Sequence, residues 1–227
     1  MKVVVSIGGS VLAPDLDADR IARYAAVIED LDADHEVGVV VGGGTVAREY
    51  IGAGRALGAN EIELDQLGIA VTRLNARLLV TAFDDRASPT PPEDYERGRE
   101  ALRRGDVPIM GGTVAGQTTD AVSAAFAEYV DAGLLVYATS VDGVYDGDPG
   151  EDADATKFDV LSAGELVDVI ADIEMAAGSK APVDLLAAKL IQRSELRAIV
   201  LDGTEPERVG DAVAGDHGGT EIVPPEA

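Results

Sequence analysis

The stretch Val37-Gly38-Val39-Val40-Val41-Gly42-Gly43-Gly44 joins a short apolar run to three consecutive glycines. A β-branched run of this length, bounded by turn residues, is typical of a buried strand in a parallel sheet. Glycine has no Cβ, so backbone N–H groups after such a strand can approach an anion closely. The stretch therefore predicts a strand that ends in an anion-binding loop at the carboxyl edge of a sheet.

The same pattern of a strand followed by glycines occurs twice more. Gly8-Gly9-Ser10 follows the apolar run 3–7, and Gly111-Gly112-Thr113 follows the run 107–110. Each loop alone is equally typical of an ordinary turn. Three such loops at one edge, two of them leading into helices with positive N-terminal ends, predict a site that holds several phosphates.

The rest of the chain alternates in the same way. Further apolar runs predict strands at 134–138, 198–201 and 221–223. Helical spacing predicts helices at 19–31, 45–57, 61–79, 119–129, 163–170, 182–193 and 205–214. Ser162 and Glu165 fit a capping box, whereas 88–93 and 142–154 are typical of loops. We expect an α/β fold, a three-layer α/β/α sandwich around a mostly parallel central sheet.

The charge of the chain limits its partners. Its 18 Lys and Arg residues stand against 42 Asp and Glu residues, for a net charge of −24. Such a chain repels nucleic-acid backbones and anionic membranes, so we expect neither as a partner. Low Lys and high Asp favour a halophilic protein, because screening shortens charge repulsion to about 3 Å at 1 M salt. An ordinary acidic cytoplasmic protein is the alternative.

Several kinds of chemistry are excluded or made improbable by what the sequence lacks. It has no Cys, which excludes disulfides and thiolate sites. It has only two His residues, His35 and His217, neither beside a glycine cluster, so we do not expect acid–base or metal chemistry based on histidine. It has no P-loop motif and no dinucleotide-binding motif at the spacing that a Rossmann fold requires. With no signal peptide and no 18-residue apolar run, we expect a cytoplasmic protein that does not span a membrane.

The order of these motifs resembles the amino acid kinase superfamily and, within it, the archaeal type of uridylate kinase. The resemblance rests on stretches 7–12, 40–44 with Ala47-Arg48, 111–113 with 116–121, 139–145 with Asp148-Pro149, 184–189, and 215–217 with Gly219-Thr220. It implies transfer of the ATP γ-phosphoryl group to UMP with Mg²⁺, as part of pyrimidine nucleotide (CTP) biosynthesis. It also implies a homohexamer of single-domain chains. An amino-terminal lobe (about 1–131) would bind UMP, and a carboxy-terminal lobe (about 132–227) would bind ATP.

The resemblance also assigns site residues, matched position by position. The UMP-binding set is Gly43, Asp65, Thr113, Val114, Ala115, Gly116, Gln117, Thr118 and Thr119. The ATP-binding set is Gly9, Ser10, Gly44, Arg48, Thr139, Tyr145 and Asp148. Asp120 matches the aspartate that organises the catalytic cations. For most of these residues an ordinary structural role is the alternative: an exposed helix acid for Asp65, a surface ion pair for Arg48, and packing for Tyr145.

The chain departs from the family pattern at several positions. Many members carry a lysine two residues before the first Gly-Gly, where this chain has Ser6. Ala115 and Gln117 stand where Pro and His are frequent, and Ser140 stands where Asn is usual. The remaining candidates for the catalytic cation are Arg48, Lys180 and Lys189. Losing one cation contact in the transition state costs about 3–4 kcal/mol, so another cation must replace the missing lysine. We expect Lys180 to do so, together with Mg²⁺.

Two alternatives to UMP phosphorylation stay open at this stage. The first is another kinase of the same superfamily acting on acetylglutamate, aspartate, glutamate, carbamate or isopentenyl phosphate. The second is a nucleotide- or oxyanion-binding oligomer without catalysis, which the missing lysine at Ser6 favours.

Overall fold

The computed structural model describes residues 1–147, 149–150, 154–175 and 181–224. Within these residues a single sheet of seven strands has the order β3-β2-β1-β4-β6-β7-β5. The strands are β1 (Lys2–Ile7), β2 (Glu36–Val41), β3 (Ile109–Met110), β4 (Leu134–Thr139), β5 (Val160–Ser162), β6 (Ala198–Asp202) and β7 (Thr220–Val223). All neighbours are parallel except β6 and β7, so the predicted mostly parallel sheet is confirmed.

Helices cover both faces of this sheet. They are α1 (Gly9–Leu12), α2 (Ala18–Asp32), α3 (Gly44–Ala56), α4 (Glu61–Val80), α5 (Tyr95–Arg104), α6 (Thr119–Val130), α7 (Ala163–Met175), α8 (Leu185–Ser194) and α9 (Glu207–Ala214). Helices α1, α2, α4 and α9 contribute to one apolar layer, and α5 to α8 contribute to the other. The predicted three-layer α/β/α architecture is therefore confirmed.

The alternation of side chains along each strand separates the two layers of the core. In β1, Val3, Val5 and Ile7 enter the layer of α1, α2, α4 and α9, while Val4 enters the opposite layer. Successive strand residues point to opposite faces, so a strand that is apolar throughout fills both layers at once. None of the helices in the described ranges has the length and hydropathy needed to cross a membrane.

The structure corrects several predicted elements: α7 runs to Met175 rather than ending at residue 170, and β3 begins at Ile109 rather than at residue 107. Helix α5 was not predicted, and neither was the edge strand β5. Helix α8 begins at Leu185 rather than at residue 182, because the Asp184 side chain caps it by accepting from the Ala187 N–H at 3.0 Å. The predicted capping box at the start of α7 is confirmed, since Ser162 and Glu165 bond each other's backbone N–H groups.

The first two glycine loops touch through their backbones. A Cβ placed on Gly9 would lie closer than 3.0 Å to backbone atoms of Gly42, Gly43 and Gly44. Gly44 also has a φ of +62°, a conformation that L side chains rarely adopt. The carboxyl ends of β1 and β2 are thus joined by a contact that only glycine permits.

This contact predicts a large difference between two glycine substitutions. Gly9→Ala forces backbone atoms apart and should lower the free energy of unfolding by about 3 kcal/mol. Gly52→Ala is the matched control in α3, because nothing lies within 4 Å of a Cβ there. It should raise stability by about 0.5–1 kcal/mol. Denaturant unfolding of both variants measures the difference, and equal stabilities would contradict the contact.

Candidate active site

The first two glycine loops bring together four of the residues predicted to bind ATP. Gly9 and Gly44 lie in direct backbone contact. The Arg48 Nη2 atom lies 3.4 Å from the Ser10 hydroxyl oxygen and 3.1 Å from the Thr45 hydroxyl oxygen. Arg48 therefore reaches back over the loop that follows β1. It has no ion pair with any described residue, so the alternative of a surface ion pair receives no support.

Helix α4 anchors the second glycine loop. The Asn75 side chain is only 5% exposed, and its Nδ2 donates to the carbonyls of Gly42 at 2.9 Å and Gly43 at 3.4 Å. Asn75 on α4 therefore holds Gly43, which is predicted to bind UMP, in place. A buried amide without such partners would be costly, so Asn75 fixes where the loop carbonyls lie.

Helix α4 also holds the third loop, where the predicted UMP-binding segment 113–119 lies. Asp65 accepts a hydrogen bond from the Gly116 N–H at 2.7 Å, so it is not an idle surface acid. The Gln117 side-chain oxygen lies 3.2 Å from the Tyr95 hydroxyl and 3.5 Å from that of Thr113. Val114 is exposed, as expected for a residue at a loop tip.

The third loop leads into α6, where two carboxyl groups interact. Thr118 caps α6 by accepting from the Ala121 N–H at 3.1 Å. Its hydroxyl also donates to the Asp184 carboxylate. Burial and the nearby charge of Asp184 raise the pKa of Asp120 to about 7. Asp120 and Asp184 therefore lie at the junction of α6 and α8 as an acidic pair.

The described residues supply no cation to this pair. Neither Asp120 nor Asp184 has an ion pair among them. Ser6 is buried and lies in register with Tyr137, whose hydroxyl donates to the Asp120 carbonyl at 2.9 Å. The position of the family lysine thus lies on the α6 face of the sheet. Lys189 is exposed, and Lys180 lies outside the described residues.

A cavity of about 260 Å³ lies at the carboxyl ends of β4 and β6. Its lining includes Asp142, Asp202, Arg208 and His217. The Lys157 ammonium ties two walls together, since it lies 2.6 Å from the Gly218 carbonyl and 3.4 Å from the Asp142 carboxylate. The cavity has room for part of a nucleotide, and four Asp residues and the Arg208 side chain line it.

Two of the residues predicted to bind ATP lie beside this cavity. The Tyr145 hydroxyl donates to Asp142 at 2.7 Å, and this hydrogen bond lowers the pKa of Asp142. Thr139 ends β4, and its carbonyl accepts from the Gly203 N–H at 2.9 Å. Asp148, the third predicted residue on this side, lies outside the described residues.

Comparison with known proteins indicates the family to which the chain belongs. The model of the amino acid kinase family matches residues 1–202. The chain belongs to the amino acid kinase family. The uridylate kinase of Haloarcula marismortui is 73% identical over 226 residues, or 99% of each chain. That of Natronomonas pharaonis is 63% identical over 227 residues, or 100% of each chain.

A solved structure extends the likeness to three dimensions. The crystal structure of uridylate kinase from Archaeoglobus fulgidus has 44% sequence identity and a TM-score of 0.90. The match covers 98% of this chain and 100% of that one. The family resemblance read from the motifs is therefore confirmed. Relatives from haloarchaea at this identity also agree with the halophilic interpretation of the charge.

Several residues that shape the site of this amino acid kinase were not predicted as site residues. They are Thr72, Arg73 and Asn75 on α4, Asp184 at the N-cap of α8, and Asp202 and Arg208 at the cavity. One signal was available for two of them: Thr72 and Asn75 interrupt the apolar stripe of α4, and both are buried. Asp184 stood in a family motif, but nothing in the sequence placed it beside Asp120.

The raised pKa of Asp120 predicts a pH-dependent cost to stability in this amino acid kinase. Above its ordinary value of 3.8 the unfolded chain releases this proton, whereas the folded chain keeps it to about pH 7. The free energy of unfolding therefore falls as pH rises from about 4 to 7. In EDTA at pH 8, Asp120→Asn should be more stable than wild type by about 4 kcal/mol, since one pKa unit corresponds to about 1.4 kcal/mol.

Denaturant unfolding at pH 4 and pH 8 measures this effect. The gain should vanish at pH 4, where the wild-type carboxyl is protonated in the folded state. Asp172→Asn on α7 is the matched control, because Asp172 is exposed and should leave the pH dependence unchanged. An Asp120→Asn variant that is no more stable than wild type at pH 8 would mean that its surroundings do not disfavour the charged form of Asp120.

Proposed function

We propose that the chain is a uridylate kinase that transfers the γ-phosphoryl group of ATP to UMP, giving UDP and ADP. Full-length identity of 73% to a uridylate kinase is the observation that carries this proposal. The loop architecture supports it, because phosphoryl transfer depends on positioning and electrostatic stabilisation rather than on a protein nucleophile. The reaction belongs to pyrimidine nucleotide biosynthesis, on the route to CTP.

The two substrates occupy opposite sides of the Gly9–Gly44 contact. UMP binds at Gly43, Asp65 and the loop 113–119, and ATP binds at Gly9, Ser10, Gly44, Arg48, Thr139, Tyr145 and Asp148. The hydrogen bond from Gly116 to Asp65 and that from Arg48 to Ser10 support this division. The amino-terminal lobe (about 1–131) then supplies β1 to β3, and the carboxy-terminal lobe (about 132–227) supplies β4 to β7. The cavity beside Asp142 and Arg208 receives the nucleoside end of ATP.

The residues at the loop edge fit a role for Mg²⁺ as the cofactor. Mg²⁺ is usually held by one or two carboxylates together with substrate phosphates rather than by a full protein cage. Asp120 and Asp184 supply two interacting carboxyl groups, and no cluster of three or more potential metal ligands occurs among the described residues. When bound, Mg²⁺ neutralises charge on the ATP phosphates.

The protein's own groups then orient the transfer. An oxygen of the UMP phosphate bonds to the γ-phosphorus as the bond from that phosphorus to the β,γ-bridging oxygen breaks. Backbone N–H groups of the glycine loops and the N-terminal end of α6 stabilise phosphate charge. Asp120 orients the cation that faces the transferring group. We assign that cation to Lys180, because Ser6 has no charge, Lys189 is exposed, and Arg48 reaches the Ser10 hydroxyl on the ATP side.

Self-association and location complete the proposal. The resemblance supports a homohexamer in the cytoplasm, with neither nucleic acid nor membrane as a partner. Large apolar side chains left exposed around α3 and α4 support self-association, since Leu57, Ile62 and Leu74 are 88%, 55% and 63% exposed.

A coupled assay of ADP release in molar KCl tests the function. We expect turnover with ATP, Mg²⁺ and UMP, and its loss when EDTA removes the metal or when UMP is omitted. Activity should rise with added KCl, because screening relieves the repulsion between the acidic chain and its anionic substrates. Faster ADP release with acetylglutamate or isopentenyl phosphate than with UMP would contradict the acceptor. Tight ATP binding without turnover on any acceptor would favour a binding protein.

The role of Lys180 has its own test. Lys180→Ala should lower kcat by about 10²–10³-fold, the usual cost of losing a charge-stabilising contact in the transition state. Lys189→Ala is the matched control, since it removes the other nearby lysine from an exposed position and should change kcat little. A Lys180→Ala enzyme within a few-fold of wild type would contradict the assignment.

A further inference from the structure

Two neighbouring side chains of α4 hold the backbone N–H and the backbone carbonyl of Gly112. The Gly112 N–H donates to the Thr72 hydroxyl oxygen at 2.7 Å, and that hydroxyl donates in turn to the Ile69 carbonyl at 2.7 Å. The Gly112 carbonyl accepts from the Arg73 Nε at 3.0 Å. Both backbone polar groups of Gly112 are thus fixed from one turn of helix, directly before the segment 113–119.

Arg73 also contacts two further points around the third glycine loop. Its Nη2 lies 3.4 Å from the Thr113 carbonyl and 3.4 Å from the Glu93 carbonyl. Its Nη1 lies 3.8 Å from the Glu93 carboxylate. The guanidinium therefore bridges the start of the segment 113–119 and the segment that leads into α5.

This geometry argues against a direct role for Arg73 on substrate phosphate. The planar guanidinium presents its donors in a fixed fork, and here the Nε and Nη2 sides face backbone carbonyls while Nη1 faces a carboxylate. The ion pair with Glu93 is largely exposed and contributes little stability. What remains is control over where the Gly112 and Thr113 carbonyls lie.

We propose that Arg73 is a positioning residue for the acceptor, which sets the conformation of the loop at Gly112–Thr113 and so the affinity for the monophosphate substrate. The inference rests on the proposed function for the identity of that substrate. Arg73 acts through the loop backbone and does not touch UMP. Its effect is therefore confined to the acceptor side, because the ATP-side loops at Gly9 and Gly44 are held by other contacts.

Steady-state kinetics of Arg73→Ala and Arg73→Lys test the proposal. In Arg73→Ala the KM for UMP should rise about tenfold, while the KM for ATP stays within about twofold. Arg73→Lys keeps the charge but loses the fork, so its KM for UMP should lie between those of wild type and Arg73→Ala. Arg77→Ala, one turn further along α4, is the matched control and should leave both constants unchanged.

Hydrogen exchange of the amides in 111–117 provides a readout that needs no turnover. Exchange there should be faster in Arg73→Ala than in wild type and unchanged in Arg77→Ala. If wild type transfers nothing to UMP, the proposed function fails, while this exchange still tests the positioning. Equal changes in the two KM values, or unchanged exchange at 111–117, would overturn the proposal. Should Arg73→Ala fail to fold, the same criteria apply to Arg73→Lys.

Discussion

The backbone contact between Gly9 and the Gly42–Gly44 turn is the constraint on which the site depends. It joins the carboxyl ends of two adjacent parallel strands at a distance that no side chain permits. Because each loop presents N–H groups at the same edge, two anions can lie side by side there with their charges stabilised locally. The surrounding helices preserve this arrangement: α4 holds the second loop through Asn75 and the third through Asp65.

Electrostatics explain why these local donors are needed. A chain with a net charge of −24 opposes the approach of two phosphate-bearing substrates, and the acidic pair Asp120–Asp184 adds to that field inside the site. Backbone donors and the start of α6 act at short range, where they outweigh the diffuse repulsion of the surface. The carboxyl pair lowers stability in the empty enzyme, and a carboxyl pKa shifted this far is typical of functional sites.

Much of the fold followed from the sequence because four central strands are short, buried and apolar, and each is predicted directly from its apolar run. The misses have physical causes. Helix α5 is strongly amphipathic but mostly polar, and only Gly98, Ala101 and Leu102 are buried, so it offers few apolar residues from which a helix could be predicted. Strand β5 has three residues, of which Val160 is exposed at the edge of the sheet. The glycine loops could be predicted as a site because glycine itself is the signal, whereas Arg73 and Asp184 act through contacts between segments far apart in sequence.

The most direct test of these substrate positions is a crystal structure of the complex with UMP and a non-hydrolysable ATP analogue. The account predicts UMP phosphate at 113–119, the ATP phosphates at Gly9 and Gly44, and the γ-phosphorus between them. Phosphates bound away from this glycine edge, or both nucleotides on the same side of it, would contradict the account.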